Sequence, residues 1–160
     1  MRVAVIAHAL AVLRNRRFGG HVDAARAALL GLYHDLPETL TGDLPTPVKY
    51  HNPEIRAAYQ AVEDSACSKL TSMLPEDLRP DYESFFFPSQ VDAPLWPLVK
   101  AADKISALAK CMEEEKAGNR EFTRAKSALL ASIHAMRLPE AECFLSEFLP
   151  GYALTLDELG

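Results

Sequence analysis

An imidazole, three carboxylates, hydroxyls and a lysine fall within the sixteen residues from His34 to Lys49. They follow directly on Ala27 to Tyr33, a run apolar enough to predict burial. Polar groups delivered to the end of a buried helix need partners there, because leaving one unpaired costs about 2–7 kcal/mol on transfer scales. A divalent metal and a phosphate would satisfy this set. His34 and Asp35 are adjacent, so on a helix they stand about 100° apart and can converge on one ion lying off the helix end. A neutral imidazole nitrogen with a carboxylate oxygen suits Mn, Fe, Co or Zn. A His-Asp dipeptide alone carries little weight, since isolated pairs of this kind are usually surface polar pairs or helix ends.

Neighbouring residues extend the chemistry. Glu38, four residues after His34, can stand beside an ion without being a ligand and move a proton to or from an attacking water. Asp43 follows Gly42, which permits close backbone approach, and can position that water or a sugar hydroxyl. Thr46 and Lys49 offer a hydroxyl donor and a positive charge to phosphate oxygens; Lys49 reads equally well as a solvated surface lysine. Far along the chain, Asp103 falls at the edge of an apolar helix face beside Val99, Ala102 and Ser106. A carboxylate tucked against such a face needs a partner, and a metal ion or a salt bridge to Lys104 or Lys110 would serve.

The elements that must position these residues are helical. Residues 2 to 13 carry Val5, Ile6, Ala9, Leu10 and Leu13 at helical spacing and are apolar nearly all round, which predicts a helix buried on most sides. It opens at Met1 without a capping side chain and ends at Phe18-Gly19-Gly20. Asp23 is placed to cap a second helix from Ala24 to about Asp35, and Pro37 biases Leu36 away from helical geometry, which leaves His34 and Asp35 near that helix's end. Thr41 to Pro53, with Pro45, Pro47 and Pro53, reads as an ordered loop, its prolines reducing the entropy lost when it closes on a ligand. Glu54 to Leu74 repeats Ile55, Tyr59, Val62, Ala66, Leu70 and Met73 at helical spacing. Pro75 to Pro94 is the least regular stretch, and its Phe85-Phe86-Phe87 run reads as a loop folded over the core or as a subunit contact. Leu95 to about Gly118 is a long helix with Leu98, Val99, Ala102, Ile105, Ala109 and Met112 inward, and helices near Glu121 to Leu138 and Pro139 to Leu149 complete the chain.

Composition agrees with one mostly helical domain: 160 residues, 49% hydrophobic, only 7 Gly and no sustained strand-like alternation. The net charge of −5 and the lack of a basic stripe argue against binding a nucleic-acid polymer. Cys67, Cys111 and Cys143 form an odd set with no CxxC spacing, which suits reduced packing thiols in a cytoplasmic protein. The apolar run Val3 to Leu13 is too short to span a bilayer and lacks a cleavage pattern, so neither a membrane segment nor a signal peptide is expected.

Taken together, the HDLPETLTGDLPTPVK stretch of residues 34–49, the preceding AHAL and FGG segments, and VKAADKISALAKCMEE around Asp103 resemble the bacterial 5′-deoxynucleotidases of the HD-domain superfamily, YfbR type. The similarity runs from about Arg2 to the carboxyl end, and TGDLPTPVK is its specific element. The resemblance implies an all-α fold, a single HD-domain helical bundle over residues 1–160, acting as a homodimer with one divalent metal ion such as Co2+ or Mn2+. It implies hydrolysis of deoxyribonucleoside 5′-monophosphates to deoxynucleoside and phosphate. Carried over by residue, His34, Asp35 and Asp103 are the metal ligands, Glu38 is the proton-transfer residue, and Asp43 is the partner of the attacking water. Asp43, Leu44, Pro45 and Thr46, with Asp35 and Asp103, contact substrate.

The family pattern also places a ligand histidine three residues before the position of Arg2, with an arginine and a tryptophan for substrate phosphate and base further upstream. The uncapped apolar start at Met1 carries the same expectation, a chain that begins partway into a helix. His8 falls on the opposite side of that helix from the expected ligand and reads as a core or interhelix histidine. His21, His51 and His134 are not placed by the pattern, and no replacement ligand is assigned. The resulting expectation is a deoxynucleotidase, impaired if that ligand is lost; the alternative is a noncatalytic nucleotide-binding or subunit-interaction module on the same fold.

Overall fold

The computed structural model describes residues 1–42, 52–87 and 89–153. Among these the fold is all-α, with no strand. In chain order the helices are α1 (Arg2–Arg17), α2 (Ala24–Tyr33), α3 (Glu38–Thr41), α4 (Pro53–Ser72), α5 (Arg79–Phe86), α6 (Trp96–Lys116), α7 (Thr123–Ala135) and α8 (Pro139–Glu147), with 3-10 turns at Arg120–Phe122 and Leu149–Ala153. None of the helices is long and apolar enough to cross a membrane. The residues fall into two compact units, Met1–Leu32 with Val91–Gly160, and Tyr33–Gln90.

The first unit is organised on α6. This helix packs against α1, α7, α8 and both 3-10 turns, and it can do so because Leu98, Val99, Ala101, Ala102, Ile105, Leu108, Ala109 and Cys111 are all buried. Small residues let neighbours approach closely: α1 meets it with Ile6, Ala7, Leu10, Ala11 and Leu13. Only one face of α1 is covered. Val5, His8 and Val12 form an exposed stripe, so the expectation of a helix buried on most sides, with His8 in the core or between helices, is corrected. A three- and four-residue spacing puts these side chains on a single face, and composition could not show that this face is exposed among the described residues.

The turn into α2 is built from short-range polar contacts. The Arg14 carbonyl accepts from the amides of Phe18 and Gly20, at 3.1 and 3.0 Å. Asn15 donates to the Val22 carbonyl (2.7 Å) and accepts from the Val22 amide (2.8 Å). Asp23 caps α2 as expected, its Oδ1 accepting from the Arg26 amide at 2.9 Å. Helix α2 then runs close to α1 at Gly31, where a Cβ would lie 3.1 Å from Ala4 Cα. Two long-range ion pairs with a buried carboxylate also bind this unit. Arg26 grips the buried Asp92 through Nε (3.0 Å) and Nη2 (2.8 Å), and Arg14 grips Glu140, which is 1% exposed, through Nε (2.8 Å) and Nη2.

The second unit packs α3 and α5 on α4. Asn52 caps α4, its Oδ1 accepting from the Ile55 amide at 2.7 Å, and Pro53 occupies the first turn, where its missing amide proton costs nothing. Tyr59 and Ala66 are buried as expected, together with Cys67, but Val62 and Met73 are exposed, Met73 at 68%. The stretch expected to be irregular contains α5. Its aromatic residues are organised as a helix face rather than a loop, because Tyr82, Phe85 and Phe86, three and four residues apart, point to one side and meet another ring there.

The thiols differ in accessibility. Burial pushes the Cys67 and Cys111 thiols above the usual range, whereas Cys143 is only half-buried. A disulfide-exchange reagent should therefore label one thiol rapidly in the native protein, Cys143, and all three after unfolding in guanidinium. Rapid native labelling of Cys67 or Cys111 would contradict this packing.

Candidate active site

Helix α2 ends at Tyr33, two residues before the expected boundary. The Leu36 amide donates to the Tyr33 carbonyl (3.0 Å) and the Glu38 amide to the Asp35 carbonyl (3.0 Å), so the chain leaves α2 through a series of tight turns. Pro37 is the reason: it disfavours helical geometry at Leu36 and then starts α3. The apolar run before the turn is buried on one face only, at Ala27, Leu30 and Gly31, while Leu29 and Leu32 are exposed.

His34 and Asp35 are brought together in this turn. Nε2 of His34 lies 2.9 Å from Oδ1 of Asp35, with side-chain exposures of 14% and 56%. The imidazole is sheltered and the carboxylate is open. Two donors bound at about 2.0–2.2 Å and at right angles on one ion are about 3 Å apart. A nitrogen and a carboxylate oxygen at this separation therefore fit a divalent ion of the borderline type. Glu38 follows as the first residue of α3 and is half-buried.

Gly42 ends α3 with a φ of +72°, a conformation open to glycine, and its amide donates to the Glu38 carbonyl at 2.8 Å. Its own carbonyl accepts from the hydroxyl of Tyr59 at 3.1 Å. The backbone on the near side of Asp43 is thus held to α4. Asp43, Leu44, Pro45, Thr46 and Lys49 themselves, and His51, lie outside the described residues.

Asp103 belongs to the first unit, on α6 between the buried Ala102 and Ile105. It is exposed, not tucked against the core as expected; adjacent positions on a helix turn by about 100°, which carries its side chain off the buried face. His21 is exposed, and His134 is paired with Glu142 at 2.8 Å.

Two features were not anticipated. One is the ring cluster joining Tyr33 to α5, whose members were visible as Phe85-Phe86-Phe87 but whose partner was not. The other is the Tyr59 bond to Gly42, where the inward position of Tyr59 was legible and the target of its hydroxyl was not.

Comparison with known proteins gives a consistent result. Residues 1–152 match the family described as 5′-deoxynucleotidase YfbR-like. The chain is 48% identical over 159 residues to a 5′-deoxynucleotidase of Vibrio vulnificus, covering 99% of this chain and 82% of that protein. It is 46% identical over 159 residues to one of Photorhabdus temperata, covering 99% and 81%. Among solved structures, an HD-domain phosphohydrolase from Listeria innocua superposes with a TM-score of 0.79 at 28% identity, covering 94% of this chain and 73% of that one.

Proposed function

The chain belongs to the YfbR-like family of 5′-deoxynucleotidases, and from that premise we propose that it hydrolyses deoxyribonucleoside 5′-monophosphates to deoxynucleoside and phosphate. On this reading residues 1–160 act as one HD domain, in the cytoplasm and as a homodimer, with one divalent ion such as Co2+ or Mn2+. The observation that carries the reading is the His34–Asp35 pair, 2.9 Å apart in a turn, with Glu38 opening the next helix.

His34 and Asp35 would hold the ion, and the family motif around Asp103 adds that carboxylate as the third ligand. The proposal rests on these three residues. When bound, the ion supplies Lewis-acid polarisation of the phosphate and of the attacking water. Glu38 holds or moves the proton during attack, and Asp43 orients the water. Thr46 donates its hydroxyl, and Lys49 its charge, to phosphate oxygens. Leu44 and Pro45 complete the stretch facing substrate. In the step itself the water oxygen bonds to phosphorus, the bond from phosphorus to the sugar 5′-oxygen breaks, and the departing oxygen takes up a proton. This is one displacement with no covalent phosphoenzyme.

The test is phosphate release from dAMP and from AMP with added Co2+ or Mn2+. Release from dAMP with little from AMP is the expected result. No release from either nucleotide would overturn the enzyme reading in favour of a noncatalytic module, and equal release from both would overturn the deoxy preference.

A further inference from the structure

Tyr33 is the last residue of α2, and its peptide bond leads directly into His34. Its carbonyl closes the turn that carries the His34–Asp35 pair, accepting from the Leu36 amide at 3.0 Å. Its ring is gripped by α5. The Phe85 ring stacks on it with centroids 4.6 Å apart and planes 12° apart. Tyr82 and Phe86 meet it edge-on at 6.2 and 6.3 Å, and Tyr82 also meets Phe85 edge-on at 6.2 Å. Three rings of one short helix thus converge on a single ring, and that ring belongs to the residue next to the pair. All of these residues lie in one unit of the chain.

None of these side chains adds acid, base or nucleophile chemistry that the proposed reaction needs, yet their arrangement has a geometric consequence. The pair sits in a turn closed by bonds between residues three apart, which constrains the backbone less than a helix does. Its two donor atoms must nevertheless stay near 2.9 Å. A ring stacked face to face and braced on its edges cannot rotate or slide without breaking contacts on several sides. The peptide attached to it inherits that restriction.

We propose that the stack of Tyr33 on Phe85 is a positioning device for His34 and Asp35, and that it sets the affinity with which they take a divalent ion. This rests on the reading of His34 and Asp35 as metal ligands. Tyr33 and Phe85 are positioning residues, acting through the shared backbone.

The experiment is Mn2+ binding to the full chain, followed by calorimetry and by the electron-spin signal of free Mn2+. Tyr33→Ala and Phe85→Leu should each weaken binding about 10- to 100-fold, the range for partners that orient metal ligands, while Tyr33→Phe stays within about twofold. The double variant should be no weaker than the worse single one, because both changes remove the same interaction. A cluster that only stabilises the fold would lower the melting temperature and leave the Mn2+ affinity of the folded variants at the parent value; that result overturns the proposal. His34→Ala separates the two readings. If it loses Mn2+ while Tyr33→Ala binds like the parent, the positioning role falls and the metal site stands. If His34→Ala itself binds like the parent, the metal reading falls and takes this proposal with it. Should Tyr33→Ala not fold, as judged by circular dichroism, Phe85→Leu decides, since it keeps apolar bulk but not the flat face.

Discussion

Glu38→Gln should lower kcat for phosphate release from dAMP about 10^2- to 10^4-fold, the range for loss of a general acid or base, while Mn2+ affinity stays within about twofold. The substitution keeps the size of the side chain and one carbonyl oxygen but cannot take or give the proton. Its backbone role is retained, because the Glu38 amide and carbonyl bonds, to Asp35 at 3.0 Å and from Gly42 at 2.8 Å, do not involve the carboxylate. Rate and binding therefore separate. A parallel loss of Mn2+ would identify Glu38 as a ligand, and unchanged kcat would remove it from proton transfer altogether. Measured at saturating dAMP and saturating Mn2+, the comparison isolates the chemical step.

Glu140→Ala should destabilise the fold by about 3–5 kcal/mol, the cost of leaving one member of a buried ion pair without its partner. Glu140 is among the most buried side chains in the chain, at 1% exposure. Its carboxylate takes both Nε and Nη2 of Arg14, which also donates through Nη1 to the Pro94 carbonyl at 3.0 Å. The pair links α1 to α8, and its loss strikes the packing of those helices. A domain of ordinary stability has only about 5–15 kcal/mol in total, so urea unfolding will show the change plainly. Two controls sharpen the attribution. Glu147→Ala removes the exposed pair with Arg17, whose charges stay hydrated, and should leave the urea midpoint nearly unchanged. The double replacement Arg14→Met with Glu140→Leu should recover most of the lost stability, since apolar groups of similar volume avoid the desolvation of both charges. If the double variant is as unstable as Glu140→Ala, the pair does more than satisfy its own charges.

Most helices were legible because their signals are local. The apolar spacing of α6 reports its inward face, Asp23 caps α2, and Pro37 stops α2 before the site. Adjacency makes His34 and Asp35 candidates together, and the turn after α2 brings their donor atoms to 2.9 Å. Errors came where a local signal was read as a statement about neighbours. The apolar residues of α1 predict burial on most sides, yet Val5 and Val12 are exposed with His8 between them. Asp103 was expected against the core and stands in the open. The irregular stretch from Pro75 to Pro94 suggests a loop around the phenylalanines, but Pro80 sits in the first turn of α5, where a proline is compatible with a helix.

The helical class, the run of donors from His34 to Lys49 and the family are all legible in the amino-acid order, since each depends on residue identity and short-range pattern. Only the packing of the helices decides which charged groups are partners and which rings meet the turn that carries His34 and Asp35. Arg14 meets Glu140 across 126 residues and Arg26 meets Asp92 across 66; Tyr33 meets Phe85 through a helix that local pattern did not reveal. Pairing over such separations is set by how helices dock, and docking depends on the summed fit of many side chains, which no single stretch of sequence contains.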